Sequence, residues 1–162
     1  MFIYSVRAST VKIVALVVLL VALVGVLFIT GQEDVIAAAS NPTGVDYSGV
    51  KTKADRLAFI RGFGIEVDEG SEEEMAFRMP DSFDRVIAGY NVLQQKQGLD
   101  LSKYQNKRVT RYTYKVTNYK DKGEVFANLF IYRGKIIACD ICSANYEGFV
   151  LPLTLVSRDN LK

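Results

Sequence analysis

From Ile13 to Gln32 the chain carries no charged residue, and most positions are Val, Leu, Ile or Ala. A helix of about 20 such residues reaches about 30 Å, the thickness of the bilayer hydrocarbon. In lipid such a segment is helical, because a helix bonds all its backbone groups internally. Arg7 and Lys12 precede the run, and Glu33 and Asp34 follow it. The positive end stays in the cytoplasm, so the chain beyond the run is expected outside. Residues 1–12 are then a cytoplasmic N-terminus, 13–32 a transmembrane helix, 33–50 a flexible tether and 51–162 an extracytoplasmic domain. The competing reading is a cleaved signal, with Ala37-Ala38-Ala39 as the cleavage site; the run is longer than the ~7–15 residues of a signal core. Either reading exports the rest of the chain to the cell envelope. The stretch 33–50 holds the turn formers Asn41-Pro42-Thr43-Gly44 and Ser48-Gly49 without apolar periodicity.

The exported part is one small domain in length. Thr52 and Asp55 match a capping box, followed by Leu57, Ile60 and Phe63 as the apolar stripe of a short helix, which Gly62 and Gly64 end. Ile65 and Val67, then Met75, Phe77 and Met79, alternate with polar neighbours, which predicts a short hairpin about Glu69-Gly70-Ser71. Asp81 or Ser82 is placed as N-cap of a second helix whose buried stripe is Phe83, Val86, Ile87, Tyr90 and Leu93, ended by Gly98. Three strands follow, over about 108–118, 124–132 and 135–142, the last two joined by a tight turn at Arg133-Gly134. The expected fold is α+β: an antiparallel three-stranded meander with a preceding short hairpin and two helices packed on the sheet. The tail 148–155 adds an edge segment that Pro152 limits.

Both cysteines, Cys139 and Cys142, lie in the third strand of the meander, in C-x-x-C spacing. With Tyr132 opposite Lys135, Ile137 pairs with Phe130, Cys139 with Asn128 and Cys142 with Val125. Alternation then sets Cys139 on one face, with Ile137 and Ile141, and Cys142 on the other, with Ala138 and Asp140. Three strand residues separate two Cα atoms by ~10 Å, beyond the ~7 Å reach of a disulfide. A turn, not a helix, follows the second cysteine, so no helix dipole lowers a thiol pKa here. The chain has no histidine. Within one chain this excludes Ser-His-Asp and Cys-His catalysis, and two cysteines alone do not make a zinc site. Ser102 and Lys103, formally a Ser-Lys pair, are neighbours in a turn and read as surface residues. Asp140 interrupts an apolar strand, and a buried carboxylate needs a partner; the plainer reading is a strand-end cap.

Charge is segregated. Residues 66–84 are mostly acidic; residues 96–122 are mostly basic, with Arg111 and Lys115 interleaved among tyrosines. Nucleic acid is not the expected partner, because Tyr112 and Tyr114 point away from Arg111 and Lys115 and the domain is exported. An anionic envelope polymer or lipid headgroup fits the same electrostatics.

"YSGVKTKADRLAFIRGFGIEV", "DSFDRVIAGYNVLQQKQGLDLSKYQNKRVTRYTYKVTNY" and "ANLFIYRGKIIACDICSANYEGF" resemble a family catalogued as domain of unknown function 4830. The resemblance implies a short membrane-anchored protein of Gram-positive, largely anaerobic bacteria. The shared "DICSA" segment matches Asp140 to Ala144 and leaves Cys139 outside. It implies location and architecture and supplies no mechanism.

The function expected is a non-enzymatic extracytoplasmic interaction module, without cofactor or metal, held at the membrane by one helix and taking a protein, peptide or anionic envelope polymer as partner. The alternative is an envelope thiol-redox protein or sensor using Cys139 and Cys142. The candidate site residues are Asp140, Cys142, Cys139, Arg111 and Lys115.

Overall fold

A computed structural model of the chain describes residues 44–120, 123–145 and 148–162. The expected transmembrane helix and most of the tether lie outside the described residues. Seven regular elements follow in order: α1 (Lys53–Arg61), β1 (Glu73–Arg78), α2 (Arg85–Gln95), β2 (Arg108–Lys115), β3 (Val125–Tyr132), β4 (Lys135–Ser143) and β5 (Val150–Pro152). The strands form one antiparallel sheet in the order β1-β2-β3-β4-β5. The fold is α+β.

Helix α1 begins as its sequence dictates. The Thr52 hydroxyl accepts the Asp55 N–H at 3.2 Å, and Asp55 accepts the Thr52 N–H at 2.7 Å. Leu57 and Ile60 are buried against one sheet face, together with Tyr114, Leu129, Ile136 and Ile141. Val45, Tyr47 and Val50, expected in the tether, belong to this core instead. Their backbone is used as well: the Tyr47 carbonyl accepts the Ile136 N–H, and the Val50 N–H donates to Gly134.

The expected hairpin over residues 65–79 does not form. Val67 bridges Val116, while β1 pairs with β2 from Glu73↔Thr113 to Arg78↔Arg108. The two segments lie one after the other along the same edge of β2, with a 3-10 turn over Glu69–Ser71 between them, capped by Asp68. Alternation marked two strands here; only the second forms as β1, the first makes a single bridge at Val67, and alternation carried no information on their partner.

Helix α2 starts later than expected, at Arg85, because Asp84 accepts the Ile87 N–H at 2.8 Å and is the N-cap; Asp81 and Ser82 are not. Its buried stripe also differs. Val86 is 77% exposed, and the fully buried helix positions are Asn91 and Gln94, with Gln97 just beyond. The helix is rotated because these amides bond to buried backbone, which an apolar stripe cannot do. Gly98, at φ +81, reverses the chain after it.

The turn between β3 and β4 is as expected, with Arg133 and Gly134 both at positive φ, 49° and 76°. The register beyond it is not. Ile131 pairs with Ile136 but Phe130 pairs with Ala138, so Ile137 is an extra residue in a bulge. Every later pair moves by one: Leu129↔Cys139, Asn128↔Asp140 and Phe126↔Cys142. Ile137 consequently packs with Ala138, Val109 and Phe130 under α2, while Cys139 joins Leu129 and Ile141 on the α1 face. The two cysteines still face opposite ways. The strand expected to Asn118 closes at Lys115, and β5 ends at Pro152.

Candidate functional site

The α2 face of the sheet carries a polar network across four elements. Asp140 of β4 is 3% exposed. The Tyr90 hydroxyl of α2 donates to its Oδ2 at 2.5 Å, and Asn128 Nδ2 of β3 donates to its Oδ1 at 2.8 Å. The same Asn128 Nδ2 lies 3.3 Å from Cys142 Sγ, and Asn128 Oδ1 accepts the Thr113 hydroxyl of β2 at 2.8 Å. Cross-strand neighbours on one face make this possible: Thr113 opposes Asn128, and Asn128 opposes Asp140.

Burial raises the Asp140 pKa above the ordinary carboxylate value, against the lowering effect of the Tyr90 and Asn128 hydrogen bonds and of the Arg111 charge. Burial and Asp140 hold the Tyr90 hydroxyl well above its usual value, so it stays a donor. Burial likewise raises the Cys142 thiol, and Asp140 adds to it. None of this activates a nucleophile. A reactive cysteine needs a lowered pKa, and both Asp140 oxygens are already occupied by donors.

The five sequence candidates separate. Asp140, Cys142 and Arg111 come together on this face; the Arg111 guanidinium reaches the Met75 sulfur at 3.8 Å, and its charge opposes, without overcoming, the upward shift that burial gives the Asp140 and Cys142 pKa values. Lys115, at the exposed end of β2, pairs with Glu124 at 2.6 Å and stays apart. Cys139 is buried on the opposite face, where burial pushes its thiol far up, and Cys139 Sγ lies 3.5 Å from Gln97 Oε1.

Sequence reasoning missed the amides. Gln94 Oε1 accepts the Cys139 N–H at 3.0 Å, and Gln97 Nε2 donates to the Cys139 carbonyl at 2.6 Å. Gln97 Nε2 also donates to Gln94 Oε1, and Thr154 donates to Gln97 Oε1. The signal was present in Asn128, a lone amide in the apolar "VFANLFIY"; the bulge at Ile137 hid its pairing with Asp140.

A second network ties α1 to the other face. Arg56 Nε donates to the Tyr114 hydroxyl at 2.9 Å and Nη2 to Glu72 at 3.1 Å, while the Tyr114 hydroxyl donates to the same Glu72 oxygen. The guanidinium stacks 3.7 Å from the Tyr112 ring centroid. Burial drives Tyr114 up to about 12.

A family described as a domain of unknown function (DUF4830) matches residues 59–141. The chain belongs to this family. No curated protein and no solved structure matches it. The DUF4830 match runs from α1 into β4, so it includes Tyr90, Arg111, Thr113, Asn128 and Asp140 and stops short of Cys142 and β5. Among the described residues no cluster of His, Cys, Asp or Glu is arranged to hold a metal, and no helix is long and apolar enough to cross a membrane.

Proposed function

We propose that the chain is a non-catalytic binding module of the bacterial envelope, anchored by its N-terminal apolar run, which adds an extended segment of a partner protein as a strand along β1. The observation that carries this reading is the free edge. Among the described residues β1 pairs only with β2, and every β1 residue except Phe77 is exposed. The Met79 N–H donates to Lys107, toward β2. Alternation then turns the backbone of Glu74, Ala76 and Arg78 outward, with three N–H and three C=O groups unclaimed by the sheet. Such an edge is a template for strand addition. Met75, 53% exposed, supplies apolar surface for one side chain of the incoming strand. Glu73 and Glu74 at one end and Arg78 at the other set its charge order.

The chemistry of the Asp140 network favours binding over catalysis, because its groups satisfy one another. The redox alternative gains nothing from two thiols on opposite faces with raised pKa values.

The test is a photo-cross-linking residue at Ala76 in the full chain, in its own membranes. The expected product is one partner, cross-linked within an extended segment and lost in Ala76→Pro, which removes an outward N–H and none of the bonds to β2. No cross-link at Ala76, or a cross-link that Ala76→Pro leaves intact, would overturn strand addition.

A further inference from the structure

A pocket of about 280 Å³ opens on the α1 face of the sheet, lined among others by Lys51, Arg56, Arg108, Thr110 and Tyr112, with the Arg133-Gly134 turn at its rim. Its charge is unbalanced. Glu72 neutralises Arg56 at 3.1 Å. Arg108 and Lys51 make no ion pair with a described residue; the described pairs are Arg56–Glu72, Arg61–Glu69 and Lys115–Glu124. Glu74 stands opposite Tyr112 on β1. Beside the pocket Arg78 stands directly opposite Arg108 across β1 and β2, on the same face. Like charges in that position destabilise a sheet. Arg78 is turned to the Asn106 carbonyl at 2.7 Å, leaving Arg108 to the pocket.

Two features hold the Lys51 stem beside the pocket. The Lys51 stem lies across Gly134, whose missing Cβ would meet Lys51 Cγ at 3.1 Å. The Val50 N–H donates to the Gly134 carbonyl at 2.9 Å and fixes the backbone of Lys51's neighbour. Arg133 rests 5.3 Å from the Tyr132 ring and adds charge at the rim. Thr110 adds a hydroxyl to the floor.

We infer that this pocket is an anion site that takes a phosphate group, gripped by the Arg108 fork and the Lys51 ammonium, with Thr110 as a further donor. An arginine fork matches phosphate oxygens two at a time, and a neighbouring lysine adds a point charge. The phosphate can be free or carried by an anionic lipid headgroup, and the same grip serves both. This site lies on a sheet face, whereas strand addition uses the outer edge of β1, so either can fail without the other.

The experiment uses the isotope-labelled full chain in a neutral detergent. Potassium phosphate is titrated against potassium chloride at equal ionic strength. A parallel arm compares micelles doped with phosphatidylglycerol or with phosphatidylcholine. The expected result is saturable shifts of the Thr110, Tyr112 and Gly134 amides in at least one arm. Arg108→Ala should weaken that binding tenfold or more, Arg108→Lys should retain part of it, and Arg61→Ala should not change it. Shifts with free phosphate identify a soluble phosphate ligand; shifts with phosphatidylglycerol alone identify a headgroup. Shifts that follow ionic strength, that miss these three amides, or that survive Arg108→Ala in a folded variant would overturn the site.

Discussion

Gln94 Oε1 lies 3.0 Å from the Cys139 nitrogen, so a helix side chain occupies the place of a strand beside β4. The outer edge of β4 is served by three different groups in turn. Tyr47 takes the N–H of Ile136, Gln94 and Gln97 take both backbone groups of Cys139, and β5 takes over from Asp140 to Cys142. An edge closed in this way offers nothing to a partner. Among the described residues the sheet then ends at the three-residue β5 on that side and at the six-residue β1 on the other, and β1 is the longer open edge.

The two amides should not be equivalent. Gln94→Met strands the Cys139 N–H, but it also removes Gln94 Nε2, which is buried with no hydrogen-bond partner among the described residues. The gain offsets part of the loss, and about 1 kcal/mol of net destabilisation is expected. Gln97→Met strands the Cys139 carbonyl and the Thr154 donors together, with an expected cost of about 3 kcal/mol. Denaturant unfolding of both variants checks the order; equal costs would contradict the ladder reading.

Leu129 and Phe130 lie on opposite faces, and their substitutions should differ. Leu129 is fully buried beneath α1, and Leu129→Ala is expected to cost about 2–5 kcal/mol. Phe130 is half-buried between the Phe77 and Tyr90 rings, with centroids 6.0 and 5.8 Å away. Phe130→Asp should loosen α2 while the Leu129 side of the sheet remains folded. Hydrogen exchange separates the two outcomes: fast exchange confined to residues 85–95 is expected for Phe130→Asp.

These contrasts mark what the sequence made legible. Period-two and period-3.6 patterns located α1 and all three strands of the meander, and the Thr52–Asp55 box set the start of α1 to the residue. Neighbours along the chain supply that information. The partner of β1 and the extra residue at Ile137 depend on distant segments, and one inserted residue exchanges the faces of everything after it. In the candidate site, Asp140 stood out as a carboxylate in an apolar strand. Tyr90 was legible only as an apolar stripe position, and Gln94 and Gln97 not at all, because a buried amide looks like surface until its backbone partner is known.

The thiols should behave as two independent groups. Cys139 is expected to stay unmodified by a thiol reagent until the chain unfolds, since it is fully buried and its thiol hydrogen faces Gln97. Cys142, half-buried, should react slowly and faster with rising pH. An oxidant such as diamide should form no bond between them; a reversible disulfide found by mass mapping would revive the redox reading.

For the N-terminal run the expectation is one span, with residues 1–12 inside and the domain outside. Protease added to intact protoplasts should remove the domain and leave a fragment of anchor size. A protected domain would reverse the orientation.

Asp140 supplies the pH dependence. Burial raises its folded pKa above the ordinary 3.8. Between those two values the folded chain holds a proton that the unfolded chain has released, so the native state binds more protons and stability falls as pH rises. Below the unfolded value both states are protonated and the penalty vanishes; above the folded value it is constant. Glu72 and Asp100, whose pKa values are lowered, act in the opposite sense: they stabilise at neutral pH, and that contribution is lost as pH falls through their folded values. The whole chain therefore shows a sum of opposing trends, and a difference between variants isolates Asp140. Asp140→Asn keeps an oxygen to accept from Asn128 and an amide that can meet the Tyr90 hydroxyl as an acceptor, without a charge to bury. Its stability relative to the native chain should rise with pH from about 4 and level off once Asp140 is ionised. Denaturant midpoints measured across that range give the curve. A flat difference would mean that the carboxyl titrates alike in both states, and a falling one that Arg111 and the Tyr90 and Asn128 hydrogen bonds outweigh burial.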